Sequence, residues 1–120
     1  MKFNKLSLHI DVDNAIKRLV DDEELFMNIL GMLVNEFDLE KVRLESTIAA
    51  RSRESVAELA HYFKGIAGNL DVFNVCRGLE KIECACSSDD WTSIELEFKN
   101  ISAEMQALAI AYDSTLKGFP

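Results

Sequence analysis

Apolar positions recur at steps of three and four along most of this chain, the period of helices that bury one face. Phe3, Leu6, Leu8 and Ile10 show no clear period, and Met1 to Ile10 reads as an arm lying on the body. Asp11 suits the N-cap of a short helix carrying Ala15, Ile16, Leu19 and Val20. Asp21 and Asp22 offer a second start, with Glu23 and Glu24 in a first turn where the helix dipole favours acids. The stripe that follows is Leu25, Phe26, Ile29, Leu30, Leu33 and Phe37. It runs on through Leu39, Val42, Leu44, Ile48 and Ala49, as one long helix or as two with a break near Asp38. Polar residues from Arg51 to Glu54 predict a turn, with Ser52 capping a helix that reaches Leu70. Asp71 to Asn74 interrupt the pattern briefly. Val75, Leu79, Ile82 and Cys86 then form a new stripe, and so short a link folds the two helices back antiparallel. Ser87 to Asp90 is the clearest loop. Beyond it Trp91, Ile94, Phe98, Ile101, Met105, Leu108 and Tyr112 make a closing helix to Leu116, ended by Lys117 and a C-cap Gly118. No stretch alternates with strand period. The pattern predicts an all-α chain: an antiparallel four-helix bundle with a short leading helix, residues 1–9 as arm and 10–116 as bundle. Four amphipathic helices can satisfy one another within one chain, so a monomer is expected, although the last seam is also of the kind that joins dimers.

One helix breaks the division between buried and exposed faces. With His61 at zero and about 100° per residue, Leu59, Phe63, Ile66 and Leu70 fall at about 160°, 200°, 140° and 180°. Lys64, Gly65, Gly68 and Val72 fall at about 300°, 40°, 340° and 20° on the same wheel. The histidine therefore points away from the core, flanked by a cation and two glycines. Glycine inside a helix costs about 1 kcal/mol relative to alanine. Without a Cβ, however, it lets a large partner approach the ring closely. Lys64 overhangs the same face, where it can neutralise an anion on a ring nitrogen. The plainer alternative is a surface histidine beside two incidental glycines.

Composition narrows the options. The 120 residues suit one domain with a modest core, and 48% apolar with 28% charged content is ordinary for a soluble protein. The only proline is Pro120, so nothing before it is barred from a helix. A net charge of -8 argues against nucleic-acid or anionic-membrane partners. A local basic patch remains, because Lys64, Arg77 and Lys81 gather near His61 in sequence and the last two lie opposite their own apolar stripe. No stretch resembles a signal peptide, anchor or membrane span, and a cytoplasmic protein is expected. Cys76, Cys84 and Cys86 read as reduced, small packing residues, since Cys84-Ala85-Cys86 lacks the second ligand pair of a zinc site.

Several chemistries drop out on their own terms. Gly65 and Gly68 lie within a helix rather than in a phosphate-cradling loop before one. Glu58-Leu59-Ala60-His61 matches the carboxylate-x-x-histidine step of di-iron bundles, but His9, the other histidine, has no glutamate three residues before it. His9 itself reads as incidental. What is left is an exposed nucleophile with a cation beside it and no acid, base or metal of its own. Imidazole is largely neutral at cytoplasmic pH and can attack through a ring nitrogen. Phosphoryl transfer asks mainly for placement and charge neutralisation, so a protein supplying only the nucleophile can work if its partner supplies the metal.

Ala60 followed by His61-Tyr62-Phe63-Lys64-Gly65, with Leu70, Cys76, Leu79 and Glu80 downstream, resembles the histidine-containing phosphotransfer (HPt) domain. Ile10-Asp11 through Ala15, Leu19, Asp22 and Leu25 to Phe37 resembles that family's opening, so the likeness spans residues 10–112. One departure is Asp71, where the family often has glycine; it is expected to alter the turn or to repel an acidic partner. The resemblance implies that His61 accepts a phosphoryl group from the aspartate of a response-regulator receiver domain and passes it to another receiver. A hybrid sensor histidine kinase would stand upstream. Lys64 would balance phosphate charge, while Gly65, Gly68, Tyr62, Arg77 and Lys81 would form the docking surface. No cofactor is implied for this chain, the Mg²⁺ belonging to the receiver. A competing reading is a non-phosphorylated adaptor or inhibitor using the same face. Kinase activity is a weak third, because no nucleotide motif is present and Tyr62 stands where a kinase's own histidine is usually followed by glutamate.

Overall fold

A computed structural model describes residues 2–119, whose regular elements are all helices joined by short turns. A 3₁₀ turn at Leu6–Leu8 precedes α1 (Val12–Arg18), α2 (Glu23–Ala49), α3 (Arg53–Asn69), α4 (Phe73–Ser87) and α5 (Trp91–Leu116). Met1 and Pro120, named above as part of the arm and as the sole proline, lie outside the described residues. None of the described helices is long and apolar enough to cross a membrane.

Three helices start where an aspartate side chain accepts a free first-turn N–H: Asp11 from Asn14, Asp22 from Leu25 and Asp90 from Ser93. Ser52 stands at the start of α3 without capping it, its hydroxyl turned to the Ser55 hydroxyl at 3.1 Å. α2 is one uninterrupted helix of 27 residues, about 40 Å long. Asp38 does not break it, because its side chain faces solvent while Phe37, Leu44 and Ile48 carry the buried face onward. Four residues expected on that face are instead turned outward: Leu25, Leu39 and Val42 are 40%, 80% and 70% exposed, and Ala49 is exposed as well.

The reversals also differ from expectation. Gly118 is not a left-handed cap, since no glycine has positive φ; its N–H bonds the Thr115 carbonyl in a continued turn. Left-handed conformations fall instead on Val20, Asp21, Arg51, Asp71 and Asp89. Asp71, at φ 53°, thus keeps the turn between α3 and α4 in a shape that glycine adopts more easily. Its carboxylate is held by Arg18 Nη2 and Asn14 Nδ2, each at 3.1 Å, while Arg18 Nη1 donates to the Gly68 carbonyl at 2.7 Å. Arg18 thus pairs with the Asp71 charge, and α1 is fastened across the end of α3.

α3 packs on α4, α4 on α5, and α2 on both α3 and α5. The shared core includes Phe26, Phe37, Phe63, Leu79, Ile94 and Ile101. The arm joins it through Leu6 and Ile10, and Phe3 meets the rings of Phe26 and Phe119, each at 5.9 Å. His9 Nδ1 lies 3.1 Å from Glu104 on α5. Buried Gly78 is the contact point between α4 and α5, where an added Cβ would lie 2.7 Å from Ile101 Cγ1. Overpacking of this kind costs about 1–3 kcal/mol, more than the roughly 1 kcal/mol that alanine gains in helix propensity. Gly78→Ala is therefore expected to lower the urea midpoint, and an unchanged or raised midpoint would contradict so close an approach.

Candidate functional site

His61 sits mid-way along α3, between residues that anchor it from beneath. Ala60 and Phe63 are fully buried, and the Phe63 ring packs edge-on to Phe37 of α2 at 5.5 Å. The imidazole itself is 76% exposed. A backbone fixed by its neighbours thus presents an open ring.

α3 and α4 run antiparallel here. Gly68 comes closest to Cys76, whose Sγ would lie 3.9 Å from an added Cβ. Two turns further along each helix, His61 meets Glu83, with Nδ1 to Oε2 at 3.6 Å. The other carboxylate oxygen of Glu83 lies 3.1 Å from Lys64 Nζ. Glu83 holds the Lys64 ammonium above its ordinary pKa, with Glu80 and Cys76 adding to the field. The histidine therefore does have an acid beside it, contrary to the reading from sequence. That carboxylate faces Nδ1, which leaves Nε2 as the nitrogen turned away from α4.

Tyr62 is half-exposed on the α2 side of His61. Its hydroxyl donates to the Glu36 carboxylate, and this bond, ahead of burial and the Glu40 charge, raises the phenol above its usual range. Met32 and Leu39 lie four residues before and three after Glu36, hence on the same face of α2, and are 65% and 80% exposed. Gly65 is the most open position: an added Cβ there meets nothing within 4 Å.

Arg77 and Lys81 do not share this face. They lie about 120° and 160° around α4 from Glu83. There they line grooves against α5, with Lys81 Nζ 3.9 Å from Glu97. The basic patch suggested by sequence proximity is thus divided by the girth of one helix. Of the cysteines, Cys86 is buried and Cys76 half-buried, but Cys84 is exposed rather than packed. Among the described residues, no three histidine, cysteine or acidic side chains converge as metal ligands would.

Glu83 and Glu36 were missed by the sequence reading. Glu36 is one polar residue between Val34 and Phe37 on α2 and carries no local signal. Glu83 becomes visible only once α3 and α4 are set antiparallel with Gly68 against Cys76. The assembled site offers an exposed imidazole nucleophile with Nδ1 against a carboxylate, a lysine within reach, and a flat approach over Gly65. No protein-family model matches the chain, and neither the curated proteins nor the solved structures compared with it include a match.

Proposed function

We propose that this chain is a phosphorelay carrier of the HPt kind, in which His61 takes a phosphoryl group from a receiver-domain aspartate and hands it to another receiver. The observation that carries the reading is an open imidazole on a rigid helix turn, with Lys64 on one side and the bare backbone of Gly65 on the other. In loading, the Nε2 lone pair attacks phosphorus as the phosphorus–oxygen bond of the aspartyl phosphate breaks and the aspartate leaves as a carboxylate. The ring keeps its proton on Nδ1. The Mg²⁺ that assists such a transfer belongs to the receiver, and this chain contributes nucleophile, charge and shape. On this reading α2 to α5 form the antiparallel four-helix bundle of the family, working as a cytoplasmic monomer without nucleotide. Tyr62, Met32 and Leu39 give the receiver an apolar edge to rest on, while Arg77 and Lys81 stand outside the footprint.

Gly65 supplies the test. The site has room for a side chain, and the helix favours alanine over glycine by about 1 kcal/mol. Gly65→Ala should therefore raise the urea midpoint, the opposite sign to Gly78→Ala. Gly65→Arg should leave the fold intact while slowing phosphoryl transfer from a phosphorylated receiver at least tenfold. Transfer at the wild-type rate by Gly65→Arg would remove the docking face from the proposal. Stable receiver binding that needs Gly65 but survives His61→Gln, with no transfer to wild type, would favour the adaptor reading.

A further inference from the structure

Met32, Glu36 and Leu39 follow one another at steps of four and three along α2, so an acid interrupts an otherwise apolar strip on the α2 side of His61. Met32 and Leu39 are largely exposed, Glu36 is half-buried, and the Tyr62 hydroxyl reaches across from α3 to donate to Glu36 Oε1. We propose, resting on the carrier reading above, that Glu36 is a positioning residue: it pins the Tyr62 ring over the gap between Met32 and Leu39 and so completes the apolar platform on which a receiver rests.

An aromatic side chain on a helix surface turns about its side-chain bonds unless its ring is held. Tyr62 is 48% exposed, yet it is held at two points. Its ring packs edge-on to Phe63 at 5.2 Å, and Phe63 is itself buried against Phe37 of α2. Its hydroxyl is tied to the Glu36 carboxylate, and a charged acceptor makes such a bond roughly twice as strong as a neutral one. The same bond raises the phenol above its usual range, so the hydroxyl stays a donor at cellular pH. Glu40, one turn further along α2, has its own partner in Arg43 at 3.5 Å. An apolar residue in place of Glu36 would make the strip continuous but would leave the hydroxyl nothing to hold.

The gain lies in docking rather than in chemistry. A receiver that meets a mobile ring must order it on binding, which costs about three- to tenfold in affinity for one immobilised side chain. With the ring already pinned, folding has met that cost. His61 and Lys64 pair with Glu83 on the α4 side of α3, away from Glu36. Glu36 therefore acts through Tyr62 on how tightly the receiver is held, and the attack on phosphorus proceeds without it.

The experiment uses the full chain with two readouts: the NMR signals of the Tyr62 ring, assigned by their loss in Tyr62→Phe, and single-turnover transfer from a phosphorylated receiver titrated in excess. Glu36→Ala should move the ring signals toward those of a freely turning tyrosine. It should also raise the half-saturating receiver concentration about three- to tenfold while the rate at saturation stays at the wild-type value. Tyr62→Phe, which loses only the hydroxyl, should weaken docking to the same extent, and the double variant no further than either single one. Glu36→Gln, whose amide oxygen still accepts the hydroxyl, should stay near wild type. Ring signals unmoved in Glu36→Ala, an unchanged half-saturating concentration, additive losses in the double variant, or a Glu36→Gln as poor as Glu36→Ala would each overturn the proposal. A ring freed by Glu36→Ala, on a wild-type chain that no receiver phosphorylates, would instead remove the carrier reading and with it the role given to the platform.

Discussion

Phe63→Ala should destabilise the protein by about 3–5 kcal/mol, a large part of the roughly 5–15 kcal/mol available to a domain of this kind. Phe63 is 1% exposed and lies directly beneath the site, its ring contacting Phe37 at 5.5 Å and Tyr62 at 5.2 Å. Removing it leaves a cavity between α2 and α3 that two rigid helices can close only in part. It also takes away the support that holds Tyr62 and the His61 turn. The loss should appear in urea unfolding as a lowered midpoint with little change in slope. A loss below about 1 kcal/mol would mean that α2 and α3 are not packed through this ring pair.

The second large effect is of the opposite kind. His61→Gln should abolish phosphoryl acceptance while leaving the urea midpoint within experimental error of wild type. The side chain is 76% exposed, and the carboxylate beside it, Glu83, is 3.6 Å away, so folding gains little from it. Glutamine preserves a polar group of similar reach but has no nucleophilic nitrogen. Phe63→Ala should weaken the fold and the activity together, whereas His61→Gln should remove the activity alone. That contrast separates the scaffold from the nucleophile it carries.

Much of the scaffold was legible in the residues because its signals are local. Asp11, Asp22 and Asp90 cap helices through bonds to N–H groups three residues on, and the stripe Val75, Leu79, Ile82 and Cys86 lies buried as its spacing implies. The outward face of His61 was legible for the same reason: the wheel is a property of one helix. What could not be read depends on how helices meet. Leu39 and Val42 match the helical period as well as Leu44 does, yet they face solvent because no neighbour covers that side of α2. Asp71 gave no hint that Arg18, from a different helix, would hold it. Arg77 and Lys81 are near His61 in sequence, but the girth of α4 separates them from it. Glu83 joins the site only through the register between α3 and α4, set where Gly68 meets Cys76.

The central claim, that His61 carries a phosphoryl group between receivers, is tested most directly by mixing the full chain with ³²P-labelled receiver domains and following the label over time. The carrier account predicts that label leaves at least one receiver and arrives on this chain in an acid-labile, base-stable form, that a second receiver then removes it, and that His61→Gln takes up none. No label on the wild-type chain from any receiver of the same cell, or equal labelling of His61→Gln, would contradict it.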